Sequence, residues 1–242
     1  MKKTKWLAAC IAACALALVA GCSSGGGDDG GSDEAANWVI EGTKVVRYIG
    51  AEADVRIPDG VTIIGESAFE GCTSLESVTI PASVTSIEEW AFYECEGFAV
   101  TYGGTLSQWC QMDNDYTLMS SASSIKLSDG NDLKSLTTLE IPSGVTKIGA
   151  YAFEGCTSLA SVTIGDGVTS IGESAFLNCK SLASVTIPGS VTSIGDYAFS
   201  WCNNLAEVKY GGTAEQWEKI AIGSGAFPSN PKIYDKEDKE IK

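Results

Sequence analysis

Cysteine is the residue type whose spacing most suggests chemistry, because five thiols recur along the chain at one place in a repeated unit: Cys72, Cys95, Cys156, Cys179 and Cys202. Metal ligands converge on one point, whereas these residues lie a whole repeat apart, so we expect no metal and no cofactor. Stacked repeats lie about 4.8 Å apart, which keeps disulfides between neighbouring repeats open as an alternative. Pairing would leave odd members out, so we interpret the thiols as reduced, small and buried.

The charged residues exclude several classes of function. The chain contains no histidine, so neither a Ser-His-Asp nor a Cys-His relay can form. Its net charge of −15 argues against a nucleic-acid partner. Paired carboxylates can still hydrolyse glycosides without histidine. No Asp or Glu interrupts the apolar positions, however, and we expect the repeated acids to be solvated surface groups: Glu66, Glu70, Glu76, Glu173 and Asp196.

Large aromatic residues stand where other copies of the unit carry small or polar ones. Trp90, Tyr151 and Tyr197 each precede an Ala-Phe pair, and Tyr93 and Trp201 lie in the turn that follows. Exposed rings in one column can stack on sugars or anchor a protein partner. The alternative is that they only shield neighbouring turns. We take these five residues as the candidate partner-binding site.

A 23-residue unit positions all of these residues, with its clearest copies starting at Val61, Val84, Val145, Val168 and Val191. Each copy contains a string of the form L-x-x-V-x-I-P, whose alternation predicts a short strand, followed by a turn of the form A-F-x-x-C. A fixed period of this length predicts a solenoid, in which each coil buries its apolar side chains against its neighbours.

These strings resemble the BspA-like leucine-rich repeats of bacterial cell-surface proteins, over roughly residues 57–210. The resemblance implies a right-handed solenoid of the leucine-rich-repeat type. Short parallel strands would form one face, and short helical or 3₁₀ turns the other. It also implies a protein held at the cell surface that adheres to matrix proteins or to other cells.

Two non-repeating segments share one pattern. The string Y-G-G-T-x-x-Q-W occurs at 102–109 and again at 210–217. Thr followed three residues later by Gln predicts a capping box at the start of a helix, with Trp109 and Trp217 on its buried side. We interpret the first copy as one long coil, at about residues 100–140, within a continuous solenoid. The alternative is that residues 111–136 separate two small domains.

The first 21 residues are typical of a bacterial lipoprotein signal peptide, with early lysines, a short apolar stretch and the string V-A-G-C ending at Cys22. That string resembles a lipobox and predicts lipidation of Cys22, with an ordinary secretory signal as the alternative. Residues 22–36 are rich in Gly, Ser and Asp and predict a flexible tether. We divide the remainder into a capping hairpin and first strand (37–60), the solenoid (61–210) and a C-terminal cap and tail (211–242).

The leading hypothesis is a non-catalytic protein, exported and lipid-anchored to the bacterial membrane or surface. It would bind an unidentified extracellular protein or glycan. A structural spacer of the cell envelope is the second hypothesis, and a carboxylate-based hydrolase is the third.

Overall fold

The computed structural model describes residues 37–229 and 231–241. Its strands are β1 (Trp38–Glu41), β2 (Lys44–Tyr48), β3 (Asp54–Arg56), β4 (Ile63–Ile64), β5 (Ser77–Ile80), β6 (Ser86–Ile87), β7 (Ala99–Tyr102), β8 (Ser124–Leu127), β9 (Thr138–Ile141), β10 (Lys147–Ile148), β11 (Ser161–Ile164), β12 (Ser170–Ile171), β13 (Ser184–Ile187), β14 (Ser193–Ile194), β15 (Glu207–Tyr210), β16 (Ala221–Ile222), β17 (Lys232–Tyr234) and β18 (Glu240–Ile241). The helices are α1 (Leu106–Gln111), α2 (Tyr116–Ser121) and α3 (Ala214–Trp217).

The strands form two sets of parallel ladders, one strand of each set per regular coil. The longer strands stack as β3-β5-β7-β8 and as β9-β11-β13-β15-β17, with β18 closing the second sheet antiparallel. The two-residue strands stack as β4-β6, which follow the five-residue β2, and as β10-β12-β14-β16. Equivalent repeat positions pair in register, as Val162 does with Val185. The chain is therefore the predicted repeat solenoid.

The A-F-x-x-C turns hold neighbouring coils together through an alternation of backbone hydrogen bonds. In the first turn, Ala68, Glu70 and Cys72 donate their N–H groups to carbonyls three residues earlier in the same coil. Phe69 and Gly71 instead donate to the next coil, at Ala91 and Tyr93. In a helix, all of these N–H groups would donate to carbonyls of the same coil. The turns therefore have local bonds of 3₁₀ spacing but do not continue as helices.

The predicted core positions are buried and stack in columns. Phe153, Phe176 and Phe199 lie nearly parallel, with ring centroids 5.3 Å and 5.1 Å apart. Phe69 and Phe92 form an equivalent pair at 4.8 Å. The isoleucines of the short strands are also buried: Ile64, Ile87, Ile148, Ile171 and Ile194.

Both copies of the Y-G-G-T-x-x-Q-W string begin helices as predicted. Thr105 and Gln108 form a capping box at α1, and Thr213 and Gln216 form one at α3. Trp109 belongs to α1 and Trp217 to α3, and the side chains of both are buried. The segments that follow also correspond: β8 pairs in parallel with β7, and β17 pairs in parallel with β15. Each copy then returns antiparallel, through Asp132 opposite Lys126 and through β18.

We call these two stretches, each from the Y-G-G-T-x-x-Q-W string to its antiparallel return, the closing segments. The first lies in the middle of the chain and interrupts only the ladder of the longer strands. The longer strands are divided between β8 and β9, which belong to separate sheets. On the short-strand side the hydrogen bonding continues, since Asp113 bridges Ser86 and the Gly149 N–H donates to the Cys110 carbonyl at 2.7 Å. A side chain at Gly149 would collide with the Met112 carbonyl, so glycine permits this close approach.

Glu154 is buried at this junction, contrary to the expectation that acids lie only on the surface. Its residue is 4% exposed, and its Oε2 has no hydrogen-bond partner among the described residues. Burial raises the pKa of this carboxyl to about 7; nearby Lys134 opposes that shift and Asp115 adds to it. By contrast Glu66, Glu70, Glu76, Glu173 and Asp196 are exposed, as predicted.

All six cysteines of the described residues are free thiols, in agreement with the preferred interpretation. Three of them donate to a phenylalanine carbonyl of the preceding coil, as Cys179 Sγ does to Phe153 O at 3.2 Å. Desolvation raises the pKa of Cys95, Cys110 and Cys156 to about 12, which makes these thiols poor nucleophiles.

No helix within residues 37–229 and 231–241 is long and apolar enough to span a membrane. The signal peptide, Cys22 and the tether lie outside the described residues, so they stay predictions, as do the domain limits.

Replacing Phe176 with alanine should lower the free energy of unfolding by about 3–5 kcal/mol, because the ring packs between two neighbours in a closed column. Chemical denaturation of a fragment spanning residues 37–242 would measure the loss. Trp201→Ala, at an exposed aromatic residue two positions past the next Phe of the column, should change stability by less than about 0.5 kcal/mol. Equal losses in the two variants would contradict the assignment of the core.

Glu154→Gln should change how stability depends on pH. Between about pH 4.5 and pH 7 the folded state retains a proton that the unfolded state has released, so the parent loses stability as pH rises. The glutamine variant lacks this term. It should exceed the parent by up to about 3 kcal/mol above pH 7 and match it at about pH 4 and below.

A matched control exists for this comparison, because Glu70 lies in an identical A-F-E-G-C pentapeptide but is exposed. Denaturation curves of Glu70→Gln should follow the parent at every pH. If Glu154→Gln also follows the parent, the carboxyl is not held in the environment described.

Thiol titration should find six reactive groups in denatured residues 37–242. In the native state Cys72 should react first, since it is only half-buried whereas the other five are buried. Two or fewer thiols after denaturation would show that disulfides link the coils.

Candidate functional site

A cleft of about 690 Å³ opens on the turn side of the solenoid, beside the long coil. Two of the predicted site residues, Trp90 and Tyr151, line it. Tyr93 lies next to Trp90, with ring centroids 6.2 Å apart. The structure therefore brings three of the five candidate residues to one place.

The cleft lies where the non-repeating long coil separates two regular coils. Trp90 and Tyr151 occupy equivalent positions just before Ala-Phe in those two coils, and Thr117 belongs to α2 in the long coil. The Thr117 hydroxyl accepts a hydrogen bond from the Phe92 N–H at 3.1 Å, as the main chain of a regular coil would. Asp115 caps α2 by accepting from the Thr117 N–H at 2.9 Å. Both rings therefore line a cleft beside the long coil, and Tyr116 of that coil lines it as well.

Both rings project from a backbone conformation that bulky residues rarely adopt. The φ angles of Trp90 and Tyr151 are 59° and 54°, and the equivalent Ser67, Ser174 and Tyr197 share this region. The left-handed conformation lets alternate N–H groups reach the next coil. It costs roughly 1–2 kcal/mol for an L-residue other than glycine. Trp90 is nevertheless 58% exposed, so burial of its ring recovers little of that cost.

Carboxylates dominate the lining of the cleft. No basic residue lines it, and five acids do: Glu66, Glu88, Glu89, Asp115 and Glu173. The other lining residues are Ile87, Trp90, Asn114, Tyr116 and Tyr151. Lys44 neutralises one of the acids, since its Nζ lies 2.7 Å from Glu88 Oε2 and lowers the pKa of that carboxyl. The Tyr151 hydroxyl donates to Glu173 at 3.3 Å, and burial followed by the nearby Glu173 charge raises the pKa of this tyrosine.

An unpartnered acceptor lies in the wall of the cleft. Asn114 is 4% exposed, and its Oδ1 has no hydrogen-bond partner among the described residues. Its Nδ2 donates to the Met112 carbonyl at 3.3 Å, and its backbone N–H donates to Ala150 at 3.0 Å. The side chain is therefore fixed with one oxygen unsatisfied, which is costly unless a ligand donates to it.

The other two candidate residues lie away from this cleft. Tyr197 and Trp201 are exposed on the turns of a later coil, and neither lines the cleft. Trp201 is the most exposed large apolar residue described, at 66%, and also has a left-handed φ of 59°. The candidate residues thus divide into a cleft group and a separate pair.

Sequence reasoning missed Asn114, Tyr116 and the acids of the cleft as site residues. Asn114 and Tyr116 belong to the non-repeating coil, where no period indicates which way a side chain points. Glu66 and Glu173 were recognised as exposed acids, but their convergence depends on how the long coil folds. Within the described residues, no cluster of three or more acids or thiols is arranged to hold a metal ion.

Comparison with solved structures finds bacterial leucine-rich-repeat proteins. A leucine rich repeat protein of T. pallidum is 25% identical, with 79% of this chain and 77% of that chain covered and a TM-score of 0.31. A leucine rich cell surface protein of Faecalibacterium prausnitzii is 22% identical, over 82% and 73% of the two chains, with a TM-score of 0.34. A leucine-rich repeat protein of Eubacterium ventriosum is 20% identical over 79% of each chain, with a TM-score of 0.35.

A search of curated proteins found no match. The family model described as the BspA type leucine rich repeat region matches residues 51–130 and 130–235, in six copies. These ranges include all the regular coils, both copies of the Y-G-G-T-x-x-Q-W segment and every residue that lines the cleft. The chain therefore belongs to the BspA-type leucine-rich-repeat family.

Proposed function

We propose that this chain is a non-catalytic surface module that binds an extracellular protein or glycan through the aromatic residues of its turns. The observation that carries the proposal is that Trp90 and Tyr151 line the same open cleft. A lipid on Cys22 would hold the solenoid at the bacterial surface, on the strength of the V-A-G-C string.

The backbone at these rings supports binding over simple shielding of the turns. Serine fills the same left-handed position at Ser67 and Ser174, so the fold does not need a large ring there. An exposed tryptophan at that position brings strain without compensating burial. Strain of this kind is concentrated at functional sites, where a ligand supplies the missing contacts.

A carboxylate-based hydrolase is less well supported by the same cleft. A general acid needs a raised pKa at the reacting centre. Among the described carboxyls, the pKa of Glu154 is raised, but this residue does not line the cleft. Of the acids that do line it, Glu88 has a lowered pKa because Lys44 contacts it.

Binding should depend on the cleft rings. Residues 37–242 would be tested against immobilised matrix proteins and a glycan array, and we expect saturable binding. Trp90→Ala combined with Tyr151→Ala should weaken it by about tenfold or more, as removal of buried aromatic anchors commonly does.

Tyr197→Ala combined with Trp201→Ala is the matched control, because it removes two turn rings outside the cleft. Loss of binding only in this control would place the site on the later coil and contradict the cleft assignment. No binding across both panels would favour the spacer hypothesis.

A further inference from the structure

We propose that the cleft between Trp90 and Tyr151 binds an arginine side chain of a protein partner. This inference rests on the proposed function and names the chemistry of the ligand. It follows from four features of the described residues: the charge of the lining, the rings that flank the cleft, its volume and the unsatisfied oxygen of Asn114.

The charge of the cleft selects a cation. Its five lining carboxylates are balanced only by Lys44, which contacts Glu88 from outside the lining. Glu66 and Glu89 are exposed and make no side-chain ion pair among the described residues. Like charges gathered around one concave space repel each other, and a bound cation relieves that repulsion. The net charge of −15 also draws basic partners towards the surface.

Three rings around the acids favour an organic cation over a metal ion. Trp90, Tyr116 and Tyr151 all line the cleft, and Trp90 and Tyr116 are more than half exposed. The face of an aromatic ring attracts a guanidinium or ammonium group placed over it. Calcium instead requires six to eight oxygen ligands at close range, and the described acids form no such cluster.

The unsatisfied oxygen distinguishes arginine from lysine. Asn114 Oδ1 is a buried acceptor in the wall, and the acids beside it supply further acceptors. A guanidinium group carries five N–H donors in a plane, so it can donate to an amide and a carboxylate while its face stacks on a ring. An ammonium group is more strongly hydrated and has no face to stack. The volume of about 690 Å³ accommodates an arginine and its flanking main chain.

The test uses the full chain in mild detergent and fluorescein-labelled peptides of sequence Gly-Gly-X-Gly-Gly, where X is Arg, Lys or Gln. The three peptides carry the same dye and differ only at X, and the single side-chain charge of the arginine and lysine peptides limits non-specific attraction to the acidic surface. Fluorescence anisotropy should show saturable binding of the arginine peptide, weaker binding of the lysine peptide and none of the glutamine peptide. Raised salt should weaken binding, and added calcium should not displace the peptide more than sodium of equal ionic strength does.

Variants locate the site. Trp90→Ala should weaken the arginine peptide by about tenfold, as loss of a partly desolvated cation–π contact would. Glu89→Gln with Glu173→Gln should do the same. Trp201→Ala, and Glu70→Gln with Glu76→Gln, are controls outside the cleft that remove a ring or the same number of charges, and both should bind as the parent does. Asn114→Asp should strengthen arginine binding, because it adds a charge next to the proposed guanidinium.

Equal binding of arginine and glutamine peptides would overturn the inference, as would equal losses in cleft and control variants or selective displacement by calcium. This failure differs from failure of the proposed function. If a protein or glycan from the panels binds and Glu89→Gln with Glu173→Gln leaves that binding intact, the surface module stands and the arginine site does not. If the arginine peptide binds in the cleft but no matrix protein or glycan binds the chain, the arginine site is supported and the two panels do not contain its partner.

Discussion

The hydrogen bond from one coil to the next is the interaction on which the rest of this structure depends. Strands and turns alike direct N–H groups along the stacking axis, so no coil satisfies its own main chain. In the turns this requires a left-handed residue before each Ala-Phe pair, even where that residue is tryptophan. It also requires closure at both ends. The antiparallel pair β1-β2 provides closure at one end and β17-β18 at the other.

A closing segment of the same kind also lies within the chain, and there it creates the site. After β8 the chain turns back antiparallel, which ends one ladder as β18 does at the C-terminal end. The short-strand side continues past it because Asp113 and Gly149 carry the hydrogen bonding onwards. Stacking therefore stops on one side and persists on the other. The long coil is therefore not a regular repeat, and the cleft lined by Trp90 and Tyr151 opens beside it.

The regular part of this architecture could be predicted from the sequence, because its signals are local or periodic. The capping boxes depend on Thr and Gln three residues apart, and the core columns return with each repeat. The cleft could not be predicted, since it depends on a coil that has no period. Glu70 and Glu154 show the limit most clearly. Both lie in the pentapeptide A-F-E-G-C, yet one is exposed and the other is buried against the long coil. The pentapeptides are identical, so these five residues alone do not determine whether the carboxyl is buried.

The two closing segments also show what the non-repeating residues add to the proposed site. Asn114 and Tyr116 have as counterparts Ile222 and Ser224, which carry neither the unsatisfied amide nor the ring. Ile222 is 43% exposed, whereas Asn114 is enclosed by the coil that contains Tyr151. Gly225 lies against the ring of Tyr197, whose atoms would be 3.0 Å from a side chain added there. At the C-terminal end the same fold element thus lacks the features that Asn114 and Tyr116 give to the long coil. A solenoid of identical coils offers every partner the same face, so selectivity has to come from the place where the repeat is broken.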